Sequence, residues 1–508
     1  MPTAAQLNCG ISKNSLSVCD IARVHRNTYI METRRRANGH LSEDSTPVNT
    51  NGDIQNVQKS ASDTSERTDS PRILYIVFIS LLIDLLGFTV ILPLLPSLLD
   101  YYGKNSNDGL YQMLVSQVNS FRDFIGVPNI EKYNSVLFGG VISSLFSFLQ
   151  FVASPVVGSA SDVYGRRPLM LLCMVGIAIS YALWAVSRNF TVFVIARIIG
   201  GISKGNVSLS TAIVTDASSV KNRGKGMALI GVAFSLGFLF GPSIGAYFAK
   251  IATFRQGEFY TMPALFALSL ALLDVVFLYV FLEETLPAGK RAPSFSSSLK
   301  EAHNLLSPYA LFQFSAVKRC PEKDLGTLRQ IGRSYFLYLF LYSGLEFTLT
   351  FLVHNRFQYT SMEQGKMFLF IGVIMALVQG GYSRRVPQGA EKKVALRGML
   401  ILVPAFIIIA FASSQAVLYI GLALFSFASA TVVPCMTTMV SSYGNADQKG
   451  TVVGIFRSLG ALARAVGPVA ASTIYWSIGS EFCYMIGGLL LVIPMMLLMK
   501  VQPQKAMA

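Results

Sequence analysis

Apolar residues in this chain gather in long unbroken runs, not in strand-like alternation or one-sided helical stripes. Twelve runs, labelled α1 to α12 in order, lie at about 73–99, 136–158, 168–187, 190–216, 226–251, 260–282, 334–354, 366–382, 398–413, 415–440, 450–475 and 482–500. A run of roughly 18 or more apolar residues is long enough to cross about 30 Å of hydrocarbon. Hydrocarbon offers the backbone no partners, so each run must satisfy its amides internally, as a helix. The pattern predicts an all-α membrane protein with twelve transmembrane helices. The count rests least on the short runs 366–382 and 398–413.

The polar stretches divide the chain. Residues 1–71 are rich in Ser, Asn, Thr and Asp and carry Arg34, Arg35 and Arg36. Such a segment buries too little apolar surface to fold alone and is expected to be a disordered tail. It has no cleavable-signal pattern, so α1 is expected to act as an uncleaved anchor. A second polar stretch separates six runs from six. The expected organisation is a bundle over 72–283, a linker over 284–332, a second bundle over 333–502 and a short tail over 503–508. Within the linker, 299–317 fits either a surface amphipathic helix broken near Pro308 or an irregular tether.

Charge then sets orientation. Only 14% of the residues are charged, while 52% are hydrophobic, and the net charge is +15. The basic residues fall mainly in alternate loops: Arg166 and Arg167; Lys221, Arg223 and Lys225; a cluster from Lys290 to Arg333; and Arg384, Arg385, Lys392 and Lys393. That asymmetry places these loops and both termini in the cytoplasm and makes nucleic acid an unneeded explanation for the charge. The membrane, plasma or intracellular, is not specified. Cys9, Cys19, Cys173, Cys320, Cys435 and Cys483 form no paired spacing, so neither a disulfide framework nor a metal site is expected. The sequon at Asn189 lies too near the membrane for glycosylation to be expected.

The loop between α2 and α3 reads Gly158-Ser-Ala-Ser-Asp162-Val-Tyr-Gly165-Arg166-Arg167-Pro168. Two glycines allow a tight turn, and the Asp and Arg residues can hold neighbouring helix ends. This resembles motif A of the major facilitator superfamily. Arg197-Ile-Ile-Gly-Gly201 in α4 is similar to the core of motif B. Gly237-Phe-Leu-Phe-Gly241-Pro242-Ser-Ile-Gly245 in α5 is similar to motif C, associated with antiporters. A glycine stripe with a proline also suits close packing and a bend. The context of Asp84 through Pro96 and Arg457-Ser-Leu-Gly460 resembles the tetracycline-transporter-like branch, over residues 72–502. The resemblance implies two pseudo-symmetric six-helix bundles, with α1, α4, α7 and α10 around a central cavity. The halves show a faint repeat: Gly87-Phe-Thr89 against Glu346-Phe-Thr348, and Gly241-Pro242 against Gly467-Pro468. The second motif A is reduced to Gly380-Gly-Tyr-Ser-Arg384-Arg385 and lacks the Asp. A latch is therefore expected in the first half alone: Asp162 toward the start of α11 near Gly450, and Arg166 toward Asp216.

Charges deep in lipid are costly, about 2.5–3.5 kcal/mol each on insertion scales, and ask for a reason. At 1.5 Å per residue, Asp84 lies roughly 18 Å past Arg72, and Arg197 roughly 14 Å past Arg188. Glu346 lies roughly 20 Å past Arg333, and Arg464 roughly 22 Å past Lys449. Two acids and two bases at mid-depth suit proton coupling: Arg stays charged while a carboxylate loads and releases a proton. Arg197 is the expected partner of Asp84, and Arg464, less directly, that of Glu346. A static ion pair is the competing reading. Asp274 in α6 is also deep and has no assigned role. Lys204 either snorkels or lines the cavity. Tyr335, Tyr338, Tyr342, Phe347 and Gln379 are candidate substrate contacts, although aromatics at helical spacing also serve packing.

The expected function is secondary transport by alternating access, without a catalytic site, metal or cofactor. The resemblance implies efflux of organic anions or amphipathic drug-like molecules, driven by a proton gradient, from a monomer embedded in the bilayer. The alternatives are a uniporter or proton symporter for a sugar or carboxylate, and a non-transporting receptor or scaffold. The chain carries no nucleotide-binding P-loop, HExxH or nucleophile elbow.

Overall fold

The computed structural model describes residues 70–501 apart from 105–107, 126–132, 220–222, 255–259, 292, 295–305, 318–320, 388, 442 and 444–448. The terminal tails lie outside the described residues. Ten runs become single helices or closely continued pairs. They are α1 (Pro71–Lys104), α2 (Asn134–Tyr164), α3 (Arg166–Ala185), α4 (Phe190–Asp216), α5 (Arg223–Phe254), α6 (Thr261–Phe281), α7 (Glu322–Phe357), α8 (Ser361–Gly381), α9 (Glu391–Ala410) and α10 (Gln415–Ser441). α1 tightens into a 3-10 turn at Leu92–Leu94, where Pro93 falls. α4 is interrupted between Ser203 and Asn206.

The last stretch, Lys449–Leu490 followed by Val492–Met499, contains two crossings. Gly479 breaks it with φ 87° and ψ 169°, a backbone region open to glycine. The chain doubles back there, because Cys483 Sγ comes within 3.4 Å of the Ala471 carbonyl twelve residues earlier. We take α11 as 449–478 and α12 as 480–499. The described residues thus hold twelve spanning helices and no strand.

α7 starts at Glu322, twelve residues before its apolar run. Its first turns are polar on one side, but Leu328, Ile331 and Tyr335 are buried on the other. Searching for unbroken apolar runs misses such an amphipathic extension. Glu322 and Asp324 in its first turn complement the helix dipole. In the linker, Pro308 begins a helix. Ser307 caps Pro308–Gln313, and Leu311 and Phe314 are buried. The Phe312 ring lies 5.0 Å from Phe336 of α7. This short helix is packed against α7; residues 299–305 lie outside the described residues.

Lipid gives helices no hydrophobic reason to associate, so close packing of small residues matters. The two Gly-Pro sequences do this in matching places. A side chain on Gly237 would stand 2.6 Å from Leu85 Cβ, and Gly241 and Gly245 press on Thr89 and Val90 of α1. The Thr89 hydroxyl donates to the Gly237 carbonyl at 2.9 Å. In the second half, Gly467 presses on Phe340, Ser343 and Gly344 of α7. The halves meet along two seams. In one, Val469 N, just after Pro468, donates to Ser144 Oγ of α2 at 2.9 Å. In the other, Ser243 Oγ of α5 donates to the Gly365 carbonyl of α8 at 3.1 Å.

Candidate functional site

Each half holds one cluster around a deep acid. In the first, α1 presents Ser80, Asp84 and Phe88 one turn apart, on one face. Lys204 Nζ donates to both Asp84 oxygens at 2.7 Å, and Asn206 Nδ2 donates to Oδ2 at 2.7 Å. Both donors come from the interruption in α4, which turns Lys204 and Asn206, either side of Gly205, toward α1. Asn206 Oδ1 is buried without a partner among the described residues.

The expected pairing of Asp84 with Arg197 does not form. Arg197 stacks on the Phe146 ring, its Cζ 4.2 Å from the centroid, and has no carboxylate at ion-pair distance among the described residues. Lys204 takes its place because it stands seven residues on, two turns along the same face of α4, with an aliphatic arm long enough to reach. Lys204 Nζ also lies 4.7 Å from the Phe88 ring centroid, and Phe88 stacks on Phe146 at 5.6 Å. Two cations thus bracket two stacked rings, a geometry in which ring quadrupoles hold positive charge.

Asp274, for which the sequence suggested no role, belongs to this cluster. Its Oδ2 accepts from Ser80 Oγ at 2.9 Å, and its Oδ1 is buried without a partner among the described residues. Ser80 precedes Asp84 by one turn, so two acids stand within a turn of each other along α1. The serine one turn before Asp84 was the available signal for that role.

The second cluster centres on Glu346. Tyr342 Oη lies 3.0 Å from Glu346 Oε1 and 2.7 Å from Ser429 Oγ of α10. Ser429 Oγ is also 2.9 Å from the Phe425 carbonyl. This chain has two consistent directions. With Glu346 ionised, Tyr342 donates to it and Ser429 donates to Tyr342. With Glu346 protonated, the acid donates to Tyr342, which donates to Ser429, which donates to the Phe425 carbonyl. Tyr338, Tyr342 and Phe425 stack at 5.6 and 5.4 Å. The Tyr338 hydroxyl is buried without a partner among the described residues. Arg464 is exposed and makes no ion pair with Glu346 among the described residues; it acts on that carboxylate through space.

Around the α2–α3 turn, Arg166 donates through Nε to Asp216 at 2.9 Å and pairs with Asp162 at 2.6 Å. Asp162 therefore faces Arg166. The side chains near Gly450 lie outside the described residues. Gly165 has φ 106°, which lets the chain turn sharply into α3. The first amides of α3, on Arg166 and Arg167, which have no acceptor within the helix, donate to Glu284 at 2.9 and 3.3 Å. Glu284, just beyond α6, was missed because it stands in an apparently irregular linker. Arg167 reaches the Tyr279 carbonyl at 2.7 Å, and Gly158 has open space around it.

Two other candidates serve the interface. Gln379 Oε1 accepts from Ser235 Oγ at 2.8 Å, joining α8 to α5, so its amide oxygen is already engaged. Pro242 lies at the seam with Gly365. Arg457 was noted only for its sequence context; it donates to Thr211 Oγ1 at 2.7 Å, joining α11 to α4.

Comparison with known proteins agrees with this architecture. The family model described as Major Facilitator Superfamily matches residues 77–468. The chain is 52% identical over 433 residues to the human "Major facilitator superfamily domain-containing protein 10", covering 84% of this chain and 93% of that protein. It is 23% identical to the tetracycline resistance protein, class B, of Escherichia coli, covering 79% of this chain and 88% of that one. A solved structure, described as the human organic anion transporter MFSD10 (TETRAN), superposes with a TM-score of 0.70 at 52% identity, covering 84% of this chain and 99% of that one. With that coverage, and with twelve helices joined along two matching seams, this multi-pass membrane protein belongs to the Major Facilitator Superfamily of transporters.

Proposed function

We propose that this protein exports organic anions in exchange for protons, by alternating access between its two six-helix halves. The observation that carries this reading is an imbalance of charge. Lys204 is neutralised by Asp84, but Arg197 and Arg464 have no carboxylate at ion-pair distance among the described residues. Two unpaired cations at mid-depth, with the Phe88–Phe146 and Tyr338–Tyr342–Phe425 stacks beside them, suit an anion bearing an aromatic or flat apolar body. The human relative, named as an organic anion transporter, supports the same class.

Asp84 and Glu346 supply the proton side. A proton on Asp84 cancels its charge and frees Lys204. A proton on Glu346 reverses the hydroxyl chain through Tyr342 to Ser429. Each event changes what a helix of one half holds, which is what coupling requires. The basic loops face the cytoplasm by the positive-inside bias, which puts both termini there. The protein acts as a monomer in the bilayer.

The test uses purified protein in liposomes with an acid-outside gradient. Net export of an aromatic carboxylate or sulfonate should follow the gradient and stop with a protonophore, while slow exchange persists. Uphill export at the same rate without any proton gradient would overturn the proposal. Uptake driven by that gradient would indicate symport.

A further inference from the structure

On the face opposite the basic loops, His354 joins the two halves. It stands in the last turn of α7, and Asp100 stands near the end of α1. His354 Nε2 is 2.9 Å from Asp100 Oδ2, and Nδ1 is 3.2 Å from the Tyr359 carbonyl oxygen. A carboxylate and a carbonyl both accept. A neutral imidazole has one N–H and one lone pair, so it satisfies one oxygen and turns a lone pair on the other. The imidazolium donates to both. The side chains of His354 and Asp100 are 23% and 38% exposed, so protons reach them from the aqueous side.

We propose that His354 is a proton-binding site on the outer face, distinct from Asp84 and Glu346, whose occupancy ties α7 to α1 and closes that mouth. Other charged groups nearby are accounted for. Lys104, one turn past Asp100, opposes the cation, and the Asp100 charge acts on the neutral Tyr111 phenol. Arg356 turns to the Ala410 carbonyl at 2.6 Å and to Glu481. Glu363 is engaged in a capping box with Thr360 at the start of α8. Two further contacts close the same mouth. Trp476 Nε1 donates to Asn134 Oδ1 at 3.0 Å, and Tyr133 meets Tyr475 edge-on at 5.2 Å. Neither changes charge near neutrality, whereas an imidazole does.

The sign follows from the geometry. The closing contact exists while His354 is protonated and Asp100 ionised, and it is lost as pH rises through the imidazole range. Acid outside closes the mouth; alkali releases it. This rests on the orientation proposed above and suits an antiporter, in which a proton arriving outside seals the face that cargo has left.

The experiment reads conformation without substrate or gradient. Spin labels go on Val186→Cys and Phe411→Cys, exposed positions at the outer ends of α3 and α9, after the native cysteines are replaced. Distance distributions are compared at about pH 5.5 and about pH 8. In the otherwise native chain, the short-distance population should fall several-fold at the higher pH. His354→Gln, which keeps an amide donor but does not titrate, should lose that response, as should Asp100→Asn. If one variant fails to fold, the other carries the test. An unchanged pH response in a folded variant, or none in the native pair, would overturn the proposal and leave the roles of Asp84 and Glu346 untouched.

Discussion

Lys204 Nζ lies 2.7 Å from each carboxylate oxygen of Asp84, and the side chains are 4% and 0% exposed. A buried pair this tight is expensive to break from one side, because the remaining charge has no solvent to turn to. Removing one partner of such a pair typically costs about 3–5 kcal/mol, whereas replacing both with neutral groups is often tolerated. Lys204→Met should therefore lower the melting temperature sharply. Asp84→Asn should also melt lower, because it strands the Lys204 charge, but should still fold and insert while losing pH-driven transport. The combined variant should melt well above Lys204→Met alone. Strictly additive melting shifts would mean that the two groups are not coupled, and full pH-driven transport by Asp84→Asn would remove that carboxylate from the mechanism.

How much of this was legible in the sequence depends on what each feature needs. Membrane helices need apolar length, which an unaligned sequence displays, and nearly every run became a helix. The start of α7 was hidden because its first turns are amphipathic, with Leu328 and Ile331 buried among polar neighbours. Deep acids stand out against apolar surroundings, so Asp84 and Glu346 were visible. Their partners were not. Arg197 and Lys204 occupy the same face of α4, and only the interruption between Ser203 and Asn206 decides which reaches Asp84. Asp274 was visible as a charge, but its hydrogen bond with Ser80 depends on how α6 packs on α1. Glu284 carried no signal, since a carboxylate after a helix in a polar linker is commonplace.

Glu284 yields the second prediction. It accepts from the Arg166 and Arg167 amides, lies near Arg291, and stands at the positive end of α3. Hydrogen bonds to charged groups are worth about 1.5–3 kcal/mol, and loss of an N-terminal cap costs about 1 kcal/mol. Glu284→Ala should loosen the α2–α3 turn, lowering thermal stability, while Glu284→Gln keeps acceptor capacity and loses less. Asp162→Asn removes one of the two acids on Arg166 but leaves Asp216 in place. Its effect should therefore fall on the balance between facing states, read by accessibility labelling at the two mouths, and little on melting. Unchanged populations would show that Asp162 does not act as a latch. Equal melting of Glu284→Ala and the native protein would show that the cap is not needed.

The last prediction separates an anionic cargo from a cationic one. A cation would pair directly with one of the acids, so Asp84→Asn or Glu346→Gln would then abolish binding. An anion needs the guanidinium groups. Arg197 is held by the Phe146 ring, which leaves its N–H groups available, and Arg464 acts on Glu346 only through space. A protonated or substituted Glu346 no longer attracts Arg464, so Glu346→Gln should retain or strengthen anion binding while losing proton coupling. Arg197→Ala and Arg464→Ala should each weaken binding of an aromatic carboxylate substantially, a loss of at least tenfold corresponding to about 1.4 kcal/mol. Arg197→Lys keeps the charge but loses the planar stack on Phe146, and should fall between the native protein and Arg197→Ala. Binding is measured on purified protein by calorimetry, separately from transport. Retained anion affinity in both arginine variants, with affinity lost in Glu346→Gln, would reject organic anions as the cargo and leave proton exchange to be tested with cations.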